Sequence, residues 1–322
     1  MSDVEVRRIQ RVGSSSLVVT LPKAWAKRLG LQQGSTVVLY EEGDSIRIVP
    51  AIRRENASVK VDLSRMPPDM AVSVPVCSYL SGLDRVEVTL PQGSRVEDVK
   101  MRGIVFMGMH IYEVGDNKVV IETLLDMDRI DPDSFIKTLG TVAERLVQGL
   151  VDAVSNGGDA EALNIAGFAR QDFMRTLYVV LRSLFARAPA RHGRRDLTLK
   201  LMSASYVSLA IEILYSMIPL IPQFASQASP TDRRLVVERL RKLGQSVNML
   251  LHVIPSPSVR RLGELVQALH KEEGEIRDAI HKATTPIAGA LIGKIQDATR
   301  IITLASYITV CRLIVALASE QG

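Results

Sequence analysis

The sequence predicts a multidomain chain, with a small β-rich module first, a short α/β segment next and an all-α half at the end. Three observations lead there. The 322 residues exceed what one ordinary core accommodates, since domains run to roughly 100–200 residues. The hydrophobic pattern changes character near residue 50 and again near residue 130. Beyond Asp131 long apolar-periodic stretches follow one another, separated by Gly and Pro breaks. The expected domains are therefore 1–50, 51–130 and 131–322.

Within 1–50 the pattern is strand, short helix, strand, strand. Leu17, Val19 and Leu21 alternate with Val18 and Thr20 as a half-buried strand does. Pro22 suits the first turn of a helix that runs through Trp25 and Lys27 and stops at Gly30. Gln33-Gly34-Ser35 makes a turn, Val37–Tyr40 a strand, Glu42-Gly43-Asp44 a second turn, and Ile46–Val49 the last strand. A unit this small buries little of its own surface. It generally needs a metal, a disulfide or a partner chain. The two cysteines, Cys77 and Cys311, lie far apart in apolar sequence and supply neither a disulfide framework nor a four-ligand zinc site. Dimerisation is the remaining expectation.

The charge is uneven. The first thirty residues hold Arg7, Arg8, Arg11, Lys23, Lys27 and Arg28 against Asp3 and Glu5, a local basic cluster that points to an anionic partner. The cysteine usage suits a reducing cytoplasm, and the charged N-terminus lacks the apolar stretch of a signal peptide. Two greasy stretches, Leu201–Pro222 and Ile301–Ala318, contain Glu212 and Arg312 and read as buried bundle helices, without stable membrane insertion.

In 51–130, strands are expected at Ser58–Val61, Arg85–Thr89, Ile111–Glu113 and Lys118–Glu122. Helices are expected at Met66–Ser81 and at Ser94–Met107, the latter with a serine cap and the early acids Glu97 and Asp98. Gly115-Asp116-Asn117 makes the last hairpin turn. Breaks at Asn156-Gly157-Gly158, Ala188–Arg195, Ser226–Pro230, Pro255-Ser256-Pro257 and Thr284–Pro286 then delimit six helices in two blocks of three, the pattern of a duplicated unit.

The stretch VRRIQRVGSSSLVVTLPKAWAKRLGLQQGSTVVLYEEGDSIRIV, Val6 to Val49, closely resembles the AbrB/MazE/SpoVT family, in particular the version at the N-terminus of archaeal PhoU-like phosphate uptake regulators. The rest of the chain is similar to the same architecture. That resemblance implies an AbrB-like swapped-hairpin β-barrel made by two chains, a linking α/β domain, and a PhoU-like bundle of two three-helix repeats. It further implies binding of double-stranded DNA through basic side chains near the first strand. The matching positions are Arg7, Arg8, Arg11 and Lys27, with Ser14 as a phosphate donor where relatives place a basic residue after the turn glycine. Guanidinium groups suit phosphate and guanine alike. A solvated strand edge, or a barrel that only dimerises or holds a protein partner as antitoxin relatives do, would account for the same charges.

PhoU repeats typically carry metal-gathering acidic motifs. Here Gln171-Asp172-Phe173-Met174-Arg175, and Thr303, Tyr307 and Val310 in the last helix, stand where acids belong, so no metal and no cofactor is expected. Nor is catalysis, because phosphate loops, nucleophile elbows and paired cysteines are missing from the sequence. His270, Glu273, Arg277 and His281 share a helix face suited to a metal or an anion, or to ordinary exposed ion pairs. Arg187, Arg191, His192, Arg194 and Arg195, and also Arg233, Arg234 and Arg239, are further basic groups that either bind an anion or decorate helix ends.

The leading functional expectation is a non-enzymatic, cytoplasmic, homodimeric DNA-binding transcription regulator, tied to phosphate homeostasis through the resemblance, whose helical domain senses a signal or mediates assembly. The alternatives are a regulatory adaptor whose bundle docks on a transporter or histidine kinase, and an architectural, chromatin-type DNA-binding protein.

Overall fold

A computed structural model describes residues 5–13, 16–42, 45–50, 58–187 and 194–320. The chain divides into two compact units, Met1–Asn56 and Ala57–Gly322. The α/β segment and the helices share the second unit.

In the first unit β1 (Gln10–Val12) pairs antiparallel with β2 (Ser16–Val18), setting Gln10 opposite Val18 and Val12 opposite Ser16. Gly13, at φ +70°, starts the reversal. The strand expected through Leu21 stops at Val18. Helix α1 (Lys23–Arg28) follows Pro22. It ends with the Leu29 amide donating to the Trp25 carbonyl and with Gly30 at φ +68°. A second antiparallel pair, β3 (Val37–Glu42) and β4 (Ser45–Pro50), completes the unit. Pro22 is the one residue buried among those of this unit whose burial is described.

The second unit opens with a four-stranded sheet in the order β5 (Ser58–Asp62), β6 (Arg85–Thr89), β8 (Lys118–Thr123), β7 (Met109–Glu113). β5 runs parallel to β6, and β8 is antiparallel to both of its neighbours. All four strands lie where the alternation predicts them. The first expected helix is divided into a 3-10 stretch, Pro68–Ser73, and α2 (Val74–Leu80), because Pro75 cannot donate within a continuous helix. The second is shorter than expected. α3 (Val96–Gly103) starts after Arg95, and the Ser94 hydroxyl donates to the Pro68 carbonyl instead of capping. Val74, Val96 and Val99 pack on Val86, Val88, Val119 and Ile121, so the helices cover one face of the sheet.

Six long helices follow: α4 (Pro132–Ser155), α5 (Ala160–Arg187), α6 (Arg194–Tyr215), then after the short α7 (Ile221–Gln227), α8 (Pro230–Val253), α9 (Val259–Lys282) and α10 (Pro286–Glu320). α4 packs on α5 and α8, α6 on α10 and α5, and α9 on α8 and α10. The apolar stretch expected to continue to Pro222 breaks after Tyr215, where Pro219 and Pro222 prevent one uninterrupted helix. Asp131 caps α4, accepting from the amides of Asp133 and Ser134. At Gly149 any Cβ would lie 2.9 Å from the Ala162 carbonyl oxygen and from the Ala166 amide, so α4 and α5 approach backbone to backbone there.

Two buried charges organise this unit. Arg182 on α5 is wholly buried. It donates to the carbonyls of Tyr79 (2.7 Å) and Leu83 (3.2 Å) and to the Asp84 carboxylate (3.0 Å), and its guanidinium lies 5.1 Å from the centre of the Tyr79 ring. The α/β segment is thereby pinned to the bundle. Burial lowers the Arg182 pKa against the pull of Asp84 and Tyr79, and burial pushes the Tyr79 hydroxyl up to about 12. Asp232, also wholly buried, forms a capping box with Ser229 at the start of α8. It accepts from the Thr284 amide (2.8 Å) and hydroxyl (2.6 Å), fastening the α9–α10 connection. Burial opposes its charge, but the bonds from Thr284 and Ser229 prevail and hold the carboxyl below the usual aspartate range.

Replacing Arg182 with Met strands the Tyr79 and Leu83 carbonyls and is expected to lower unfolding stability by about 2–4 kcal/mol, read by urea melts. Asp232→Ala is expected to cost about 2–3 kcal/mol at neutral pH. Because the folded pKa is depressed, that difference holds above the ordinary aspartate pKa and is lost as pH falls through the folded value. Melts of both proteins across pH 2–7 check the sign.

Candidate nucleic-acid interface

Arg11 lies in β1, opposite Leu17 of β2. Arg7 and Arg8 precede the strand in extended chain, and all three side chains are exposed. The Arg7 guanidinium forms an ion pair with Glu5, two residues away. Lys23, Lys27 and Arg28 ride on the short helix α1, exposed like the arginines. The expected donor Ser14 lies outside the described residues. The unit therefore carries several solvent-facing cations in β1, in the extended chain before it and on α1, and exposed cations meet phosphate at little desolvation cost.

The apolar side chains of the same unit are equally exposed. Val12 is 56%, Leu17 69% and Ile46 74% exposed. Val19, Leu21, Leu29 and Leu39 are in the same state. Alternation that should put one face of each strand into a core puts both faces of β1 and β2 into solvent.

Residues 10–56 match the family model described as antidote-toxin recognition MazE, bacterial antitoxin. The N-terminal unit carries a MazE/AbrB-type domain. Its matched segment ends at the residue where the compact unit ends, Asn56. The MazE-type segment includes Arg11 and Lys27 and begins after Arg7 and Arg8. Searches among curated proteins and solved structures found no significant match.

The other sequence-level candidates sit in the helical part. His270 Nε2 lies 2.8 Å from the Tyr307 hydroxyl, with the rings edge to face, while Arg277 and His281 are exposed and Glu273 is half-buried. Among the described residues no group of three or more His, Cys, Asp or Glu side chains is arranged to hold a metal. Asp172 is exposed, and Arg175 donates to the Ile104 carbonyl at 3.4 Å. Arg191 and His192 fall outside the described residues. Arg187 ends α5, and Arg194 and Arg195 open α6.

Arg233 and Arg239 are committed internally. Arg233 donates to the Val154 (3.3 Å) and Ala225 (2.6 Å) carbonyls, closing the ends of α4 and α7. Arg239, nearly buried, donates to Glu272 at 3.0 Å and to Glu275 and Glu238. Burial raises the Glu272 pKa, opposed by Arg239 and Lys242. Hydrogen bonds from Lys242 and Arg239 lower Glu275 to about 2. Arg234 stays exposed.

Sequence reasoning missed Arg182 and Asp232. The signal for Arg182 was its isolation in the apolar run Tyr178–Phe185. For Asp232 it was the Ser229-Pro230-Thr231-Asp232 spacing of a capping box.

Proposed function

We propose that this chain is a DNA-binding transcription regulator that works as a homodimer through its MazE/AbrB-type domain. One observation carries the reading: among the residues of the domain whose burial is described, Pro22 alone is buried, and Leu17, Val19, Leu39 and Ile46 stand in solvent. A second copy that interleaves its hairpins would cover Leu17, Val19, Leu39 and Ile46, each side chain contributing about 1.5–3 kcal/mol once buried. The exposed cations Arg7, Arg8, Arg11 and Lys27 would then appear twice across a two-fold axis, matching the symmetry of duplex DNA.

In this reading the helical part senses a signal or mediates assembly. Its PhoU-like character rests on the sequence resemblance and is supported by two successive sets of three long helices. A link to phosphate uptake rests on the resemblance alone. The family description also favours a second reading, recognition of a toxin protein by the same domain, in which the basic side chains would face an acidic partner instead of phosphate.

Gel-shift titrations over a range of salt separate these readings. The full-length protein is expected to bind duplex DNA with log K falling linearly in log salt. The double variant Arg7→Ala, Arg8→Ala should remain dimeric while the slope becomes shallower by about 0.9 for each phosphate contact removed. Unchanged affinity and slope in that variant would remove these two residues from the interface. No DNA binding by the intact protein would favour the protein-partner reading.

A further inference from the structure

Between α8 and α9 lies a cleft of about 200 Å³. Leu235 of α8 and Ala279 of α9 give it an apolar wall, and the rest of its lining is charged. Glu238, Glu275 and Asp278 supply three carboxylates against the Arg239 guanidinium and the Lys282 ammonium, so the lining has one negative charge in excess.

These charges are not all paired. Asp278 and Lys282 are exposed and stand one helical turn apart on α9, a spacing at which opposite charges commonly close on each other. Here neither side chain makes an ion pair or hydrogen bond among the described residues.

At Arg239 the shortage is of another kind. This side chain is 4% exposed, and its two Nη atoms are spread over Glu238, Glu272 and Glu275. Lys242 also reaches Glu275. Yet Arg239 Nε and Glu272 Oε1, both shielded from solvent, have no partner among the described residues. Arg170, by contrast, donates through Nε and Nη2 together to the Glu212 carboxylate, at 2.9 and 3.0 Å, the two-point pairing that a guanidinium favours. Three carboxylates compete for Arg239, and that pairing is forfeited. A further cation at Glu238 and Glu275 relieves the competition and leaves Arg239 able to close on one carboxylate with two bonds.

We infer that the α8–α9 cleft binds a free basic amino acid. Its side-chain ammonium lies at Glu238 and Glu275, its methylene stem along Leu235 and Ala279, and its α-ammonium and α-carboxylate at Asp278 and Lys282. Such a ligand carries one net positive charge, the complement of the lining. A simple amine leaves Lys282 facing a like charge, and a neutral or acidic amino acid leaves the carboxylates competing for Arg239. A metal ion does not suit the geometry, because the carboxylates come from both sides of a cleft, and among the described residues no group of three is arranged to hold one. At about 200 Å³ the space is below the roughly 300–1,000 Å³ of sites for drug-sized ligands, which restricts the occupant to something of amino-acid size. Both helices lie in the second unit, so the site does not rest on the DNA-binding reading; it gives the signal which that reading assigns to the helical part a chemical class.

Calorimetric titration of the full-length protein at low ionic strength tests the site with three probes. L-Lysine is expected to bind once per chain, with Kd on the order of 0.1–1 mM. Norleucine, which lacks the side-chain ammonium, should bind at least about tenfold more weakly. Cadaverine, which lacks the α-carboxylate, should lose about threefold or more. Lys282→Gln should weaken L-lysine by about the same factor without weakening cadaverine, whereas Asp278→Asn should weaken both. Both residues are exposed, so circular dichroism and the urea midpoint should not change. No saturable heat with L-lysine would overturn the site. Equal affinity for cadaverine would overturn the amino-acid head in favour of a simple amine, and equal affinity for norleucine would overturn the basic side chain. L-Lysine binding that both variants leave unaltered would overturn the cleft as its location.

Discussion

Apolar side chains that one chain leaves in water set the demands this protein must meet. Among its described side chains, the MazE/AbrB-type unit exposes most of its strand valines, leucines and isoleucines. At about 25 cal/mol for each Å² removed from water, that surface is the largest free energy the unit can still gain. Backbone hydrogen bonds in two separate hairpins do not compensate, because a two-stranded ribbon is marginal by itself. The rest of the unit follows from this shortage. Short strands, tight glycine turns and one six-residue helix are enough if the core is completed between chains, and insufficient otherwise.

The second unit meets the opposite problem, since its core is large but includes charge. Arg182, Asp232, Arg239 and Arg312 are buried or nearly so, and an unpaired charge in such places would cost several kcal/mol. Each reaches across elements. Arg182 joins α5 to the α/β segment, Asp232 joins α8 to the α9–α10 connection, Arg239 joins α8 to α9, and Arg312 joins α10 to Asp196 of α6 and to the Ile254 carbonyl after α8. Apolar packing tolerates small slides of one helix along another. A guanidinium with several fixed acceptors does not, so these residues set the register in which the bundle packs.

Much of the fold was legible because it depends on local rules. Gly13, Gly30, Asn156-Gly157-Gly158 and the proline pairs mark reversals and helix ends through their own backbone preferences, and the structure breaks where they stand. The errors are local in the same way. Pro75, Pro219 and Pro222 divide stretches that hydrophobic periodicity alone treats as continuous, and Ser94 prefers a distant carbonyl to its own helix. The candidate site was legible only as charge. Arg7, Arg8, Arg11 and Lys27 could be named from composition and resemblance, but their exposure depends on tertiary placement. Arg233 and Arg239 look equally basic in sequence, and it takes the positions of Val154, Ala225 and Glu272 to show that they are occupied.

Hydropathy alone gives the same reading for α6 and α10 as for a membrane segment, and the ion pairs show why that signal is ambiguous. Arg312 and Lys200 are charges that a lipid-facing helix would expel or carry to its ends; here each is buried and finds a carboxylate on a neighbouring helix. Their inner faces thus combine core packing by Val207, Ile211, Ile295 and Ile302 with charges specified by partners within the chain. Their outer faces mix Met202, Leu209, Leu304 and Ile314 with the exposed polar residues Thr198, Ser205, Asp297 and Arg300. Leu209, Leu304 and Ile314, at exposures of 48%, 46% and 61%, keep about half of their surface in water, and it is the buried half alone that stabilises the single chain.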